Sequence, residues 1–215
     1  GDGIPTADDI CPWLANVDQA DADDDGHGDV CDQCPDERNP GDTGCTFSIS
    51  DIRDTSSPLH PPEGSAVTVA GVVVTGIKDG AGFYVQDPDA LIYGGIFVYD
   101  SGSHSSGTVA AGDVITVSGV YSEYYGLSQI GSPEIEITGT SELPTPVDIA
   151  DTCSIGTDGT ASEGLENMVV RVSHVTVSNA NPDAPDDYQE FELNSCLRVD
   201  DQLSDVLVPQ PVEGT

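Results

Sequence analysis

The stretch AVTVAGVVVTG, residues 66–76, determines how we interpret the middle of this chain. It is rich in valine and threonine, and such β-branched residues favour strands over helices. Gly71 interrupts the run, so we predict one long strand that bends at this glycine. Lys78-Asp79-Gly80 follows it and has the composition of a hairpin turn.

Four further β-rich runs follow, separated by Gly, Pro, Asp and Ser. They span residues 82–87, 95–99, 113–120 and roughly 127–137. Five strands in this order predict a small Greek-key barrel. The runs EGSAVTVAGVVVTG, GFYVQDP, GIFVY and AAGDVITVSGVY, within residues 50–145, resemble the OB-type domains of secreted bacterial proteins, which often lie beside extracellular nucleases.

The remaining residues are similar to a second, incomplete copy of the same pattern. The pairs are Glu163-Gly164 with Glu63-Gly64, Met168–Val172 and Val175–Val177 with the long first strand, Tyr188–Leu193 with the return strand, Cys196–Asp200 with the third, and Val212–Thr215 with Ala110–Asp113. The second copy therefore stops where its fourth strand would begin. Because a barrel without its last strands exposes unpaired edges, we expect either further sequence downstream or a strand from a neighbouring molecule.

The stretch DADDDGHGDVCD, residues 21–32, has the ligand order of a twelve-residue calcium loop. Carboxylates fall at positions 1, 3, 5, 9 and 12, Gly26 falls at position 6, and the His27 carbonyl falls at position 7. The predicted ligands are Asp21, Asp23, Asp25, His27, Asp29 and Asp32. A solvated acidic linker is the alternative, but a random linker would not reproduce this spacing.

No helical pattern flanks this loop, which argues against an EF-hand. The runs DDICP, NVDQADADDDGHGDVCDQCP and ERNPGD make residues 1–45 resemble the type 3 repeats of thrombospondins and of bacterial surface proteins. The resemblance implies a segment with little regular secondary structure, wrapped around calcium ions and linked by disulfides between successive cysteines. It also implies that Asn16 and Asp18 are ligands of a companion ion.

The first residues predict a second, partial calcium loop. Residues 2–9 align with positions 5–12 of the same pattern, which makes Asp2, Ile4 through its carbonyl, and Asp9 further candidate ligands. Positions 1 and 3 would precede residue 1. We therefore expect upstream sequence, or another chain, to complete this site.

The spacing of the six cysteines suggests the pairs Cys11–Cys31, Cys34–Cys45 and Cys153–Cys196, although sequence alone does not fix the connectivity. Cys31 and Cys34 also form a C-x-x-C pair, but a redox motif needs a βαβ context and a zinc site needs a second ligand pair. Oxidised cysteines predict an extracellular or cell-surface location. No apolar run approaches the ~20 residues of a membrane span.

The charge balance restricts the classes of partner. The chain has 5 basic and 39 acidic residues, a formal net charge of −34. This argues against nucleic acid and anionic membranes as partners, because phosphate binding needs Lys and Arg. Bound cations would offset the self-repulsion. Binding of a glycan by tyrosine stacking is an open alternative, although tyrosines in strands and loops are more often packing residues. The five tyrosines concerned are Tyr93, Tyr99, Tyr121, Tyr124 and Tyr125.

The four histidines, His27, His60, His104 and His174, lie in unrelated sequence contexts without a catalytic motif, so we predict that the chain is not an enzyme. We predict an all-β protein with a calcium-binding repeat at residues 1–46, an OB-like barrel at 47–147 and an incomplete second barrel at 148–215. The predicted function is that of an extracellular, calcium-stabilised scaffold or fibre subunit that assembles with copies of itself, head to tail, by strand complementation. The alternatives are an adhesion module that binds glycan or protein, and an accessory domain of a secreted nuclease.

Overall fold

The computed structural model describes residues 3–5, 8–12, 14–32, 34, 35, 38, 45–100, 109–200 and 214, and of Cys45 only the backbone. The described part is all-β, as predicted, with two short helices and one 3₁₀ turn. The strands are β1 Cys45–Thr46, β2 Ala66–Lys78, β3 Gly82–Gln86, β4 Gly95–Tyr99, β5 Asp113–Tyr124, β6 Leu127–Thr140, β7 Val147–Ile149, β8 Val170–Val172, β9 Val177–Asn179, β10 Phe191–Leu193 and β11 Leu197–Val199. The helices are α1 Ile49–Arg53 and α2 Ser162–Leu165, and the 3₁₀ turn is Thr152–Ile155.

The first six strands form one closed sheet. Their order is β1-β2-β3-β4-β6-β5, and an additional pairing between β2 and β5 closes the barrel. The β4–β6 pair is parallel, whereas β2–β3, β3–β4, β2–β5 and β5–β6 are antiparallel. This is the OB-like Greek-key order that the sequence predicted.

The long strand β2 belongs to two parts of the barrel. Its first half pairs with β5 and its second half with β3, and the register with β5 shifts between Ala70 and Val72. Gly71 lies at this shift with φ +71°, a left-handed conformation that glycine adopts at no steric cost. The predicted bend at Gly71 is therefore a β-bulge.

The barrel core consists of inward-facing aliphatic side chains together with Phe83 and Tyr121. The fully buried members include Val69, Phe83, Val85, Ile115 and Ile130. Alternate residues of β2 and β5 point inward, which explains the period of two in their sequences. Helix α1 adds Ile49 and Ile52 to the same cluster.

The residues after β6 form two smaller sheets. Strands β9, β10 and β11 make an antiparallel sheet, and β7 pairs with β8 in parallel. The three-stranded sheet has its own small core of Val177, Phe191 and Leu193. All four strand segments predicted for the second copy have a counterpart: β8, β10 and β11 are shorter than predicted, and β9 has the predicted length but begins two residues later.

The second copy repeats local details of the first. In the first copy the β2–β3 register shifts across Thr75, whose hydroxyl donates to the Tyr84 carbonyl. In the second copy the β9–β10 register shifts across Ser178, whose hydroxyl donates to the Glu192 carbonyl. His174 has φ +57° between β8 and β9, where Gly71 has φ +71° within β2.

The turn before the long strand corrects one detail of the predicted alignment. Gly64 has φ +92° and lies three residues before Val67, which pairs with β1. Asn167 has φ +61° and lies three residues before Val170, which pairs with β7. The structural counterpart of Gly64 is therefore Asn167, not Gly164. By contrast, the predicted match of Gly214 with Gly112 is supported, since their amides donate to the equivalent carbonyls of Val177 and Val74.

A buried arginine joins the two copies. The Arg53 side chain is 0% exposed, and its guanidinium donates to the carbonyls of Gly95, Glu163 and Glu166 at 2.9–3.1 Å. It also donates to the carboxylates of Glu163 and Glu166 at 2.9 and 2.8 Å. Nearby, the Val169 amide donates to the buried Gln86 side chain at 2.8 Å. These contacts attach the segment that precedes β8 to the first barrel.

Candidate metal centre

Residues 21–32 are held together by aspartate side chains that accept hydrogen bonds from the backbone. The Asp21 carboxylate accepts from the amides of Asp25 and Gly26 at 3.2 and 3.1 Å. Asp23 accepts from the Asp25 amide at 3.1 Å, and Asp25 accepts from the His27 amide at 2.8 Å. Turns of this kind are typical of Asp, whose short side chain reaches backbone groups two residues ahead.

Gly26 provides the sharp turn that the sequence predicted at position 6. Its φ of +98° lies in the left-handed region, where a side chain would be strained. The preceding Asp24 has φ +59°, and its side chain is exposed. The chain thus reverses at residues 24–26 and directs the flanking carboxylates toward each other.

Three carboxylates converge on one point of this loop. Oxygens of Asp21, Asp23 and Asp25 lie within 4.8 Å of one another, and the Asp25 side chain is 0% exposed. Ionised carboxylates at this separation repel by about 1 kcal/mol per pair even at the dielectric constant of water. Their convergence in a largely buried position is therefore unfavourable unless a cation lies between them.

Two buried oxygens in the loop lack a protein partner. They are Oδ2 of Asp23 and Oδ2 of Asp32, at positions 3 and 12. Burial raises the pKa of Asp23, and the charges of Asp25 and Asp32 contribute to the same shift. Asp32 therefore lies close enough to act on the same group. Unpaired, buried carboxylate oxygens fit a hard cation, and Ca²⁺ takes six to eight oxygen ligands in flexible geometry.

The remaining predicted ligands of this loop have mixed roles. Oδ1 of Asp29 accepts from the Ala22 amide at 2.8 Å, and the Asp29 amide donates to the Ala20 carbonyl at 2.9 Å, which ties the two ends of the loop together. Position 9 often reaches calcium through a water molecule, which suits a carboxylate with this structural role. The His27 imidazole lies 3.7 Å from Asp25, and its carbonyl stays a predicted ligand.

A disulfide and a tightly packed glycine connect the loop to the residues that precede it. The predicted bridge between Cys11 and Cys31 is present. A Cβ atom at Gly28 would lie 2.7 Å from the Cys11 sulfur and 2.8 Å from the Asn16 side chain, so any larger residue requires these groups to shift. The Gly28 amide donates to the Ile10 carbonyl at 3.3 Å. Sequence reasoning assigned no role to Gly28, since the contact depends on residues more than ten positions away.

The predicted companion site has a different organisation. The side chain of Gln19 donates to Asp9 at 3.3 Å and to the buried Asn16 at 2.7 Å, so an amide network joins these two candidates. Asp18 is exposed, Ile4 is partly buried, and Asp2 lies outside the described residues. Within the described ranges, the Asp21–Asp23–Asp25 group alone places three possible metal-binding side chains together. The companion ligands stay predictions.

The other predicted disulfides have separate outcomes. Cys153–Cys196 is present and links the 3₁₀ turn to the turn between β10 and β11. The Cys45 side chain lies outside the described part of the chain, so Cys34–Cys45 stays a prediction.

Two disulfides indicate an oxidising environment of the extracellular type. In the part of the chain that the structure describes, no helix is long and apolar enough to cross a membrane.

The histidines do not form a common site in the described residues. His27 lies in the aspartate loop, His60 packs against Tyr121 with ring centroids 5.7 Å apart, and His174 lies between β8 and β9. His104 is outside the described residues. Among the tyrosines, Tyr121 is buried, whereas Tyr125 at the β5–β6 turn is 95% exposed.

Comparison with known proteins gives no family for this chain. No family model matches it. No curated protein matches it. Among solved structures, it is similar to an OBody, AM1L10, bound to hen egg-white lysozyme, with 21% identity, a TM-score of 0.30, and coverage of 37% of this chain and 83% of that one.

Two structures of asparaginyl-tRNA synthetase from Pyrococcus horikoshii also match. The complex with asparaginyl-adenylate has 17% identity, a TM-score of 0.29, and coverage of 40% of this chain and 22% of that one. The second structure has 14% identity, a TM-score of 0.31, and coverage of 50% and 26%. This chain thus spans about a quarter of those synthetase chains, and similarities this low carry no functional assignment.

Proposed function

We propose that this chain is an extracellular, calcium-stabilised structural protein whose N-terminal segment is rigid only when calcium is bound. The observation that carries the proposal is the convergence of Asp21, Asp23 and Asp25, together with buried, unpartnered oxygens on Asp23 and Asp32. Calcium is the favoured ion because every predicted side-chain ligand is an oxygen donor and the loop has calcium-loop spacing.

The role of the ion is structural. Residues 1–45 contain 13 acidic residues and one basic residue, so the segment repels itself. Bound calcium would supply positive charge at the centre of the aspartate loop. The backbone hydrogen bonds of Asp21, Asp23 and Asp25 position their carboxylates for that ion, and the Cys11–Cys31 bridge limits how far the loop can open.

Limited proteolysis with and without a calcium chelator tests this proposal. We expect residues 1–45 to be cleaved much faster after chelation and to regain resistance when calcium is added back, because ion binding is coupled to local folding. Magnesium at the same concentration is the control, since it demands near-octahedral geometry and dehydrates reluctantly. Equal cleavage rates with and without chelator would refute the calcium role.

A second part of the proposal concerns assembly. In the first copy, β5 pairs with the first half of β2. In the described residues of the second copy, β8 pairs only with β7, and β9 pairs only with β10. Among the described residues, the edge that corresponds to the β2–β5 pairing thus has no partner strand, and a strand added there by a neighbouring copy would link molecules head to tail.

Electron microscopy and sedimentation of the calcium-loaded protein test the assembly. Filaments, or a concentration-dependent increase in mass, are the expected result. A Pro substitution at Val170 would remove a backbone donor in β8, and Pro at the exposed position Ala111 is the control. Monomers at every concentration would contradict head-to-tail assembly and leave the calcium proposal unaffected, since the two rest on different residues.

A further inference from the structure

Strand β6 has a free edge where it extends past β4. Its residues 129–131 pair with β4, whereas its residues 134–140 pair, within the described part of the chain, with β5 alone. Every residue from 136 to 140 is exposed. Unpaired backbone donors and acceptors on such an edge can pair with a strand of another chain. Strand β6 therefore presents an edge of several residues to a neighbouring molecule.

The side chains of this edge alternate between acidic and apolar residues. Ile135 packs against the barrel core, and Ile137 lies on the same side of the strand and is 46% exposed. Glu134 and Glu136 point to the other side, because successive residues of a strand alternate between its two faces. A strand that adds here would therefore meet isoleucines on one face and carboxylates on the other.

Strand β8 has an open edge with the matching apolar pattern. Among the described residues it pairs with β7 alone, whereas the corresponding part of β2 also pairs with β5. Val170 and Val172 are only partly buried, whereas their counterparts Val67 and Val69 in β2 are 1% and 0% exposed. This difference identifies the side of β8 that a further strand would cover.

Arg171, between these two valines, carries an accessible positive charge. Its side chain is 54% exposed, and its pair with the exposed Asp148 at 3.4 Å belongs to a weak class. Arg198 has the same central position in β11, but it already pairs with Asp183 and Glu190. Because the chain has a net charge of −34, two copies repel each other, and their contact needs opposite charges that face each other locally.

We propose that β6 of one copy adds to the open edge of β8 in the next copy, with Glu136 opposite Arg171. The pair is antiparallel, as β5 is to β2 at the corresponding edge of the first copy. Apolar side chains then meet on one face of the pair and opposite charges on the other, which stabilises cross-strand pairs. The apolar pairs are Ile137 with Val170 and Ile135 with Val172. This inference rests on the proposed head-to-tail assembly and names the strand that completes it.

The pairing joins two different surfaces of the molecule. Each copy uses its β6 edge toward one neighbour and its β8 edge toward the other, so the contact can repeat. A repeated contact of this kind gives a ring when the rotation closes and a filament when it does not. Main-chain hydrogen bonds supply the affinity, and the Glu136–Arg171 pair fixes the register.

Charge reversal on either side of the pair tests this register. The full chain, loaded with calcium, is compared with Glu136→Arg and with Arg171→Glu by analytical ultracentrifugation. We expect each variant alone to associate about tenfold more weakly, because like charges then lie opposite each other. An equimolar mixture of the two variants should recover the association of the original chain, since each variant meets the opposite charge on the other.

Asp89→Arg is the control for net charge, because Asp89 is exposed in the turn between β3 and β4 and the change in charge equals that of Glu136→Arg. Circular dichroism checks that the variants fold, and the milder Glu136→Gln should weaken association by a smaller factor. Three results overturn the pairing but leave head-to-tail assembly standing: unchanged association of both reversal variants, equal weakening by Asp89→Arg, or a mixture as weak as its components. An original chain that stays monomeric contradicts both.

Discussion

Asp25 serves the backbone and the proposed ion at the same time. Its amide donates to the carboxylates of Asp21 and Asp23, and its own carboxylate accepts from the His27 amide. Its side chain is completely buried, whereas that of the neighbouring Asp24 is exposed. Two adjacent aspartates therefore have the same charge and very different environments, which makes them a matched pair for experiment.

Replacing Asp25 by Asn should weaken calcium binding strongly. The amide keeps an oxygen acceptor for the His27 amide but loses the charge, and we expect the affinity to fall by about tenfold to a hundredfold, or about 1.4 to 2.8 kcal/mol. Calorimetric titration with calcium measures it. Asp24→Asn is the control, with the same change in net charge and little expected effect. A similar loss in both variants would mean that net charge alone attracts the ion.

Gly28→Ala should destabilise the same segment through sterics. The new methyl group would lie within 3 Å of the Cys11 sulfur and the Asn16 side chain, and overpacking of this kind costs about 1–3 kcal/mol. Gly139→Ala is the matched control, because a Cβ there meets nothing within 4 Å. The two variants are compared, both loaded with calcium, by the rate at which a protease cleaves within residues 1–45. No difference between the two variants would show that Cys11 or Asn16 can shift without cost.

At the scale of the element, the strands of the first barrel were largely predictable from sequence. Their Val, Ile and Thr residues alternate with polar ones, and Gly, Pro and Asp mark the turns, so β3 and β4 begin where the sequence predicted. The repeat was also visible, but its alignment at Gly64 was wrong by three residues. Asn and Gly both adopt left-handed conformations, so matching Gly to Gly misses Asn167.

The bulge at Gly71 gives a prediction for β2. Gly71→Ala should lower the free energy of unfolding by about 1 kcal/mol, because its φ of +71° is strained for a side chain even though the space is open. Gly71→Asn should lower the free energy of unfolding by less, since Asn tolerates the left-handed backbone conformation. Thermal unfolding measures both. Equal stability of Ala and Asn variants would show that the bulge relaxes to another conformation.

For the candidate metal centre, the sequence predicted the carboxylates that converge but not the residues that support them. The spacing of aspartates in the twelve-residue loop predicted that Asp21, Asp23 and Asp25 lie together, since local spacing determines which carboxylates converge. Gly28 was missed because it packs against Cys11 and Asn16, more than ten positions away, and Gln19 because its side chain joins the nearby Asn16 to Asp9, ten positions away. Local patterns carry no information on such contacts.

At the scale of the whole molecule, Arg53 is the feature that sequence could not reveal. Its partners Glu163 and Glu166 follow it by 110 and 113 positions, and no local pattern connects them. The Arg53 side chain is 0% exposed, whereas those of Glu163 and Glu166 are 65% and 30% exposed, so loss of the guanidinium mainly affects the backbone carbonyls that accept from it. Arg53 therefore makes the largest set of hydrogen bonds across the junction between the two copies, beside the bond from the Val169 amide to Gln86.

Arg53→Met should destabilise the protein by about 3–5 kcal/mol, because three backbone carbonyls would lose their donor and each buried acceptor left unsatisfied costs about 1–3 kcal/mol. Arg171→Met is the control, since Arg171 and Asp148 form an exposed pair at 3.4 Å, a class worth about 0–1 kcal/mol. Urea denaturation compares the two. A small loss in Arg53→Met would indicate that water replaces the guanidinium at the junction.

The bridge between Cys153 and Cys196 has a mechanical consequence. Strands β8, β9 and β10 lie between the two cysteines, so tension applied to the chain ends passes through the sulfur atoms and bypasses those strands. The 43-residue separation conceals about 150 Å of contour length at full extension. Single-molecule stretching should release that length only in the presence of a reductant, whereas the strands β2–β6, which lie outside both described disulfide loops, extend under force in either redox state.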